Sequence, residues 1–96
     1  MFARVTITEG PPGKIDDAVR VGKETVYPSA KKMKGFKGMY VLVDRKTGKQ
    51  MAFTLWNTEA DLDASAEAAN KLRAQYVQTA NAQPAKVEKY EVAIKP

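Results

Sequence analysis

The most restrictive feature of this sequence is a pair of β-rich runs that carry apolar residues on both faces. Met39 to Val43 and Met51 to Trp56 flank a polar connection, Asp44 to Lys49, in which Gly48 can adopt a positive φ. This arrangement predicts an antiparallel hairpin. Alternate residues of a strand point to opposite sides, so the second run divides into Met51, Phe53 and Leu55 on one face and Ala52, Thr54 and Trp56 on the other. Both faces of the predicted sheet therefore require cover.

A chain of 96 residues has little material with which to provide that cover. Its length fits a single domain, 1–96, and a chain this short buries only about two thirds of the surface that it exposes when unfolded. Its own helices can cover one face of the sheet, and a second copy of the chain is the simplest cover for the other. The sequence therefore predicts a homodimer.

The predicted first helix contains a proline. From Lys14 onward, apolar residues recur at intervals of three and four, which is the period of an amphipathic helix. Pro28 has no amide hydrogen and its ring clashes with the preceding turn, so it predicts either a kink or a helix end near Tyr27. We expect the kink, because Ala30 and Met33 continue the apolar stripe beyond the proline.

The second helix has a clear start. Thr58 followed by Asp61 resembles a capping box with Asp in place of Glu, which predicts a helix from Glu59. An apolar stripe then runs to about Gln78. Because Ser65 can cap a second helical start, we expect an interruption there.

Two further segments are predicted to be strands. Phe2 to Thr8 alternates, with Ala3, Val5 and Ile7 on one side, and Val87 to Ile94 closes the chain. The resulting order, β-α-β-β-α-β, is the split βαβ or ferredoxin-like arrangement. The predicted fold class is therefore α+β, an antiparallel sheet with helices on one face.

Composition removes most standard catalytic chemistry. The chain has no cysteine and no histidine, so thiolate nucleophiles, the commonest general base and the commonest zinc ligands are missing. It also lacks a glycine-rich phosphate loop and a carboxylate cluster spaced for a metal, so we expect no metal and no cofactor. The start of the chain, with Arg4 and Glu9, does not read as a signal peptide, and no apolar run approaches about 20 residues. We therefore expect a cytoplasmic protein without membrane contact.

Basic residues are concentrated in one stretch. Seven lysines and arginines lie between Lys31 and Lys49, where only Asp44 opposes them. Within it, Lys34 to Val41 superficially resembles the core signature of RNA-recognition motifs. In that family the signature lies on the third strand, whereas here it falls between the first helix and the second strand. We interpret the charges as solvated faces and helix ends, and we expect no nucleic-acid partner.

Four segments carry a family resemblance: Gly35 to Arg45, Thr47 to Lys49, Thr54 to Glu59 and Val87 to Val92. They combine a glycine–aromatic strand, a "DR.TG" hairpin, an "LW.TE" helix entry and a "YEV" final strand. In this pattern the sequence resembles the antibiotic biosynthesis monooxygenase (ABM) type of dimeric α/β-barrel protein. The resemblance implies that two protomers pair their sheets into a barrel with the helices outside, which agrees with the predicted homodimer.

The resemblance implies two kinds of chemistry. The superfamily contains cofactor-independent oxygenases of phenolic polyketides and haem-degrading enzymes, beside members with no known reaction. The haem degraders carry a histidine and a first-strand asparagine, and this chain has neither, so haem cleavage is not expected. The resemblance thus implies a cofactor-independent monooxygenase that acts on a small phenolic or quinone-type molecule in an apolar pocket. The alternative is a non-catalytic homodimer that binds a small ligand or a protein partner.

The two alternatives differ in the expected cavity and its lining. An enzyme needs an enclosed pocket with converging polar groups, whereas side chains such as Met51, Phe53 and Trp56 fill the same space in the alternative. The candidates for catalysis are Trp56, Tyr76 and Arg73, with Arg4 as a further polar-tipped residue. The candidates for ligand binding are Tyr27, Tyr40, Trp56 and Asn57.

Each candidate also has an ordinary structural role. Trp56 and Tyr76 suit packing, and Asn57 suits the turn into the second helix. A tyrosine with a pKa of about 10 donates a hydrogen bond rather than acting as a base, unless a cation such as Arg73 lowers that pKa.

Overall fold

The computed structural model describes the whole chain, Met1–Pro96. Besides strands and α-helices it contains a 3₁₀ turn at Pro12–Lys14 and a π-helical turn at Gly22–Val26. The strands are β1 (Phe2–Glu9), β2 (Phe36–Val43), β3 (Lys49–Trp56) and β4 (Lys86–Glu91). The helices are α1 (Ile15–Val21), α2 (Tyr27–Ala30), α3 (Glu59–Ala64) and α4 (Ala66–Ala80). None of these helices has the length and apolar composition that a bilayer span requires.

The four strands form one antiparallel sheet in the order β2-β3-β1-β4. Strands β1 and β3 are central, and β2 and β4 are the edges. This is the order of a split βαβ domain, so the predicted α+β, ferredoxin-like fold is confirmed. A bulge interrupts β2 at Lys37, because Phe36 pairs with Trp56 and Gly38 already pairs with Leu55.

The helices cover the face of the sheet that carries the polar residues. Two contacts fix this orientation: Arg4 reaches Leu62 of α3, and Gln50 meets Tyr76 of α4. On β1 and β3 this helix-covered face consists of Arg4, Thr6, Thr8, Gln50, Ala52, Thr54 and Trp56. The opposite, helix-free face consists of Ala3, Val5, Ile7, Met51, Phe53 and Leu55, with Tyr40 and Leu42 of β2 and Tyr90 of β4. Strand β3 is therefore divided as predicted.

The helical backbone continues past Pro28, as the apolar stripe predicts. The π-helical turn Gly22–Val26 precedes the proline, and α2 contains it. The wider turn displaces the carbonyls that an α-helix would place against the proline ring, and so accommodates a residue without an amide hydrogen. Helix α2 ends at Ala30, and Met33 lies in the following turn, where its amide donates to Ala30 O at 3.0 Å. The spacing of the apolar residues predicted Met33 within the helix, whereas it lies after the end of α2.

The start of α3 is capped as predicted, because the Thr58 hydroxyl accepts a hydrogen bond from the Asp61 amide at 3.0 Å. The predicted interruption at Ser65 is present, but its cause is different. Ser65 does not cap α4. Its hydroxyl donates to Leu62 O at 2.6 Å and accepts from Arg4 at 3.0 Å. The break between the two helices is therefore tied to the centre of the sheet.

Two element ends differ from the prediction. Helix α4 continues to Ala80 rather than to about Gln78. Strand β4 covers Lys86–Glu91 rather than Val87 to Ile94. Its pairing partner β1 begins at Phe2, so little strand remains against which the residues beyond β4 could pair.

The hairpin turn is formed as predicted and lies against the connection that follows β1. The Asp44 amide donates to Lys49 O at 2.8 Å, and Gly48 has a φ of 83°. A Cβ atom at Gly48 would collide with Gly10 O. Only glycine therefore suits both the left-handed conformation and the close approach of the two loops.

Candidate functional site

A cavity of about 90 Å³ lies between the helix-covered face of the sheet and the helices, and it is partly open to solvent. Eleven of its eighteen lining residues are hydrophobic. Its polar groups are Arg4, Thr6, Thr8, Gln50, Thr54, Arg73 and Tyr76. Nowhere in the structure are three or more Asp, Glu, His or Cys side chains grouped to hold a metal ion. An apolar space with a few oriented polar groups is typical of small-molecule sites, so this cavity is the candidate site.

Arg4 enters the cavity from the centre of the sheet and is only 6% exposed. Its Nη2 donates to Leu62 O at 2.9 Å and to Ser65 Oγ at 3.0 Å. The guanidinium carbon also lies 5.7 Å from the centroid of the Trp56 ring, a cation–π distance. These contacts hold the charged group in one position at the wall of the cavity.

Arg73 approaches the same cavity from α4. Its Nη1 donates to Asn70 Oδ1 at 2.6 Å, and its Nε is buried without a partner. Burial lowers the pKa of Arg73. The pKa of Arg4 is lowered mainly by burial and secondly by the charge of Arg73, whereas the charge of Asp63 raises it. Neither arginine forms an ion pair with a carboxylate, and guanidinium groups remain protonated in proteins. The cavity is therefore electropositive.

Tyr76 lies on the cavity side of α4, and its hydroxyl donates to Gln50 Oε1. Gln50, on β3, is 3% exposed. Burial raises the pKa of Tyr76, so the lowering by Arg73 that would make it a base does not occur. The phenol stays protonated at neutral pH and can act as a hydrogen-bond donor.

Trp56 is almost fully buried, and its ring borders the cavity. Its Nε1 donates to Thr54 Oγ1 at 3.0 Å, and the ring meets Phe36 edge-on with centroids 5.6 Å apart. Trp56 therefore packs in the core and forms part of the cavity wall at the same time.

The other three residues predicted to bind a ligand do not line the cavity. Tyr27 packs edge-on against Phe36, with centroids 6.1 Å apart, and is otherwise exposed. Tyr40 projects from the helix-free face and is 63% exposed. Asn57 lies in the turn before α3, where its backbone N–H donates to Gly35 O at 2.7 Å. Of the predicted site residues, the structure brings together Arg4, Trp56, Arg73 and Tyr76.

Several lining residues carry no individual signal in the sequence. Thr6 and Thr8 share a strand face with Arg4, so the polar stripe at period two in β1 was the available sign of a polar cavity wall. Gln50 reaches the cavity wall because its strand pairs it with Thr8, and Gly22 reaches it because it lies in the π-helical turn. Both placements depend on long-range register or on an irregular turn, which residue spacing does not reveal.

Comparison by sequence finds relatives without a known activity. No family model matches the chain. Two uncharacterised proteins of Mycobacterium tuberculosis are similar to it, at 30% identity over 93 residues and 29% over 94 residues. The matches cover 97% and 98% of this chain but only 41% and 39% of the two relatives. The chain thus spans about two fifths of the length of the curated relatives that it matches.

Solved structures are similar over nearly the whole chain. MhuD of Mycobacterium tuberculosis, a haem degrader solved with two haems in its active site, matches at a TM-score of 0.77 and 17% identity, covering 100% of this chain and 99% of its own. The monooxygenase ActVA-Orf6 of Streptomyces coelicolor, in complex with nanaomycin D, matches at 0.75 and 17%, covering 99% and 91%. SnoaB of Streptomyces nogalater, a cofactor-independent oxygenase, matches at 0.67 and 10%, covering 98% and 94%. At these identities the likeness establishes a shared fold.

Proposed function

We propose, from the premise that this chain has the fold of the antibiotic biosynthesis monooxygenases, that it is a cofactor-independent monooxygenase of a small phenolic or quinone-type molecule. The observation that carries the proposal is the cavity, in which Arg4, Arg73 and Tyr76 border one largely apolar space. Such a site can hold an aromatic ring away from water and orient its hydroxyl group. Two of the structural neighbours are oxygenases, which supports the same class of reaction.

The cavity in this structure is smaller than a single aromatic ring requires. Its volume is about 90 Å³, whereas an engineered cavity that binds benzene has roughly 150 Å³. A ring therefore enters only when wall side chains move or when part of the ligand stays in the open mouth. Met33, in a turn, and Arg73, partly exposed on α4, are the wall residues best placed to move.

The proposed reaction needs no electron donor other than the substrate. A phenol with a free para position and one molecule of dioxygen give a para-quinone and one molecule of water. One oxygen atom enters the ring and the other leaves as water, while the phenolic O–H bond and one ring C–H bond break. The phenolate transfers electrons to oxygen more readily than the neutral phenol does, so the protein accelerates the reaction by stabilising the phenolate.

Positive charge in the cavity provides that stabilisation. Arg4 and Arg73 lower the pKa of a bound phenol by Coulombic attraction in a partly desolvated space. Tyr76 remains protonated, and its hydroxyl donates to the phenolate oxygen once it turns from Gln50 Oε1 toward the ligand. No carboxylate or imidazole lines the cavity, so the phenolic proton leaves to solvent through the open side. The rate should therefore rise with pH until the bound phenol is fully ionised.

We also propose that the chain works as a homodimer in which two helix-free faces pack together. Tyr40 and Leu42 are exposed at one edge of that face and Tyr90 at the other, and the apolar residues of β1 and β3 lie between them. A continuous apolar surface of this kind marks an interaction surface. Face-to-face packing of two copies removes them from water and supplies the cover that the sequence requires.

The second candidate function is that of a non-catalytic homodimer that binds a small ligand. The small volume of the cavity favours it, because it leaves little space for both a ring and dioxygen. Binding alone would use the same arginines and the same apolar wall. The two functions therefore differ in turnover and not in ligand affinity.

Oxygen uptake separates the two functions. A panel of electron-rich phenols and hydroquinones is tested in an oxygen electrode, and we expect uptake above the buffer rate without release of hydrogen peroxide. Tyr76→Phe should lower the rate by about 10²-fold through loss of a donor to developing charge, whereas Tyr27→Phe, the same change outside the cavity, should not. Trp56→Ala should disturb packing as well as rate. A full panel without uptake supports the binding protein, and a stoichiometric flavin or haem in the purified protein would overturn the cofactor-independent reaction.

A further inference from the structure

We infer that the cavity selects an aromatic acid, a ring whose carboxylate is bound by Arg4 and Arg73 and whose hydroxyl group meets Tyr76. The inference rests on the proposed function, because it places the ligand in this cavity. It goes beyond that function by specifying that the ligand is negatively charged. The geometry that carries it is the approach of two guanidinium groups, one from a strand and one from a helix, to an apolar space that no carboxylate lines.

The arginines of this chain fall into two classes. Arg20 and Arg45 are exposed, and each forms an ion pair with an aspartate of α1. Arg4 and Arg73 line the cavity and form none. A charge removed from water is unfavourable unless it is paired, so the missing counter-charge is most costly at Arg4, which is buried, whereas Arg73 is partly exposed.

The two cavity arginines also repel each other. After burial, the charge of Arg73 is the second cause that lowers the pKa of Arg4. An anion bound between the two groups replaces this repulsion with two attractions. A neutral ligand of the same shape leaves it in place. Binding should therefore discriminate strongly by charge.

Hydrogen-bond donors are available for a carboxylate. A guanidinium has five N–H donors. Arg4 uses Nη2 for Leu62 and Ser65, and its Nε and Nη1 make no hydrogen bond within the protein. Arg73 uses Nη1 for Asn70, and its Nε is buried without a partner, so a carboxylate reaches that donor only when the Arg73 side chain turns toward the cavity. Because the contacts of Arg4 hold its guanidinium in place before a ligand binds, little ordering is needed for a two-point contact with a carboxylate.

The polar groups of the cavity are separated into two ends. Arg4 and Thr8 lie four residues apart on β1, a separation of about 13 Å. Gln50 pairs with Thr8 and accepts the hydrogen bond of Tyr76. Arg73 precedes Tyr76 by one turn of α4 and so lies toward the Arg4 end. A ring that carries an acidic group toward Arg4 and a hydroxyl group toward Tyr76 matches this arrangement. A substrate of the proposed reaction carries the acidic group meta to the hydroxyl group, so that the para position stays free.

The experiment compares 4-hydroxybenzoate with its neutral amide, 4-hydroxybenzamide, in direct binding. The blocked para position prevents the proposed oxidation of either probe, so binding is measured without turnover. Trp56 is the only tryptophan and lies against Arg4, so its fluorescence reports occupancy of the site. We expect the acid to bind at least about tenfold more tightly than the amide, the size of effect that charge-assisted hydrogen bonds produce. The preference should weaken as salt concentration rises.

Variants assign the preference to the cavity arginines. Arg73→Gln should lower the affinity for the acid much more than the affinity for the amide and so remove most of the preference, while Arg73→Lys should retain part of it. Arg45→Gln is the matched control, because Arg45 is exposed and paired with Asp16, and neither residue lines the cavity. Its acid preference should equal that of the unmodified protein.

The outcomes separate this inference from the proposed function. Equal affinity for acid and amide in the unmodified protein overturns the inference without need of any variant, and oxygen uptake with neutral phenols would still support the monooxygenase. A preference that survives Arg73→Gln in a folded protein overturns the assignment to Arg73. Failure of both probes to bind at millimolar concentration overturns the inference as well, and the oxygen electrode then decides the proposed function independently.

Discussion

The two faces of the sheet divide polar and apolar residues in an unusual way. The helix-covered face buries Arg4 and Gln50 around a cavity, whereas the helix-free face exposes Tyr40 and Leu42 to solvent. In an isolated two-layer domain the more apolar face would be expected against the helices. This difference indicates that the helices enclose the candidate site. The helix-free face, which is the more apolar of the two, remains exposed in the single chain.

The two faces are also stabilised in different ways. Hydrogen bonds that cross from β1 to α3 hold the helix-covered face, with Arg4 as their centre. The helix-free face has no such bonds, and its residues stabilise the protein only when they leave water. Changes on the two faces should therefore have different signatures: dependence on protein concentration for the helix-free face, and loss of stability or ligand affinity for the helix-covered face.

The largest expected effect is on the helix-free face. Leu42→Asp places a charge where a second copy of the chain is proposed to pack, and an unpaired buried charge costs roughly 3 to 5 kcal/mol. We expect this variant to be monomeric in light scattering and to melt at a lower temperature. The melting temperature of the unmodified protein should rise with concentration, since association stabilises the folded state.

Val87→Asp is the matched control for this change. Val87 is 43% exposed, but it pairs with Thr6 and so belongs to the opposite face at the sheet edge. Its replacement should leave the oligomeric state unchanged. The unmodified protein is measured at 1 and at 100 μM, concentrations chosen at roughly the scale of ordinary dimer affinities. If it is monomeric and its melting temperature is the same at both, the helix-free face is not a dimer interface.

The next largest effect concerns the hydrogen bonds that join the helix-covered face to the helices. Ser65→Ala removes the acceptor of one Arg4 hydrogen bond in a buried position, a loss of about 1.5 to 3 kcal/mol. Chemical denaturation should show this as a lower midpoint at unchanged slope. Ser29→Ala, at a hydroxyl that makes no hydrogen bond, should change the midpoint much less. Equal changes in the midpoint for the two variants would show that the hydrogen bond between Arg4 and Ser65 does not stabilise the fold.

A smaller effect of opposite sign is expected at Gly22, in the π-helical turn that borders the cavity. A Cβ atom there would lie 3.8 Å from Tyr76 Cε2, which is ordinary contact. Gly22→Ala should therefore stabilise the protein by up to about 1 kcal/mol through helix propensity while it narrows the cavity. Ligand affinity should fall as the melting temperature rises.

Gly13→Ala tests whether that fall is local to the cavity. An added Cβ at Gly13 meets nothing within 4 Å, and Gly13 does not line the cavity. Ligand affinity should be unchanged in this variant. A Gly22→Ala protein that binds 4-hydroxybenzoate as tightly as the unmodified protein would place the ligand elsewhere.

The smallest effect lies at the rim of the helix-covered face. Lys89 on β4 contacts Glu59 at 3.0 Å and Asp63 at 3.2 Å, and the hydrogen bond to Glu59 is the first cause that raises the pKa of Lys89. A raised pKa stabilises the fold fully below the unfolded-state pKa of about 10.4, and this stabilisation is lost as pH rises through the folded-state pKa. Lys89→Met should therefore lose less stability than the unmodified protein between pH 9 and 11.5, a range set around roughly that pKa. Lys71→Met, which removes a lysine without an ion pair, should not reproduce the difference.

Elements defined by local chemistry could be predicted from the sequence. The hairpin follows from Gly48 and the polar connection around it, and the start of α3 follows from Thr58 and Asp61, because turns and caps depend on neighbouring residues. The passage of the helix through Pro28 also followed from the apolar stripe. The strand order follows from the succession of elements once the split βαβ arrangement is recognised.

The candidate site was less predictable, because long-range packing defines it. The alternation of β1 separates two faces but does not show which one the helices cover, and Arg4 finds its acceptors 58 and 61 residues away along the chain. Tyr40 and Tyr76 are similar in sequence terms, yet strand register places one on the helix-free face and helix packing places the other in the cavity. The end of β4 depends on the length of β1, which no residue of β4 encodes.

The bulge at Lys37 has a consequence for aggregation. Strand β2 is one edge of the sheet and β4 is the other, and regular exposed edges are templates for the addition of further strands. The bulge interrupts the first edge, and alternating charges protect the second, namely Lys86, Glu88, Lys89 and Glu91. Growth into fibrils through edge-to-edge pairing is therefore disfavoured at both ends of the sheet. A protomer without the proposed partner should instead precipitate through its helix-free face, as amorphous material without the cross-β spacing of about 4.7 Å.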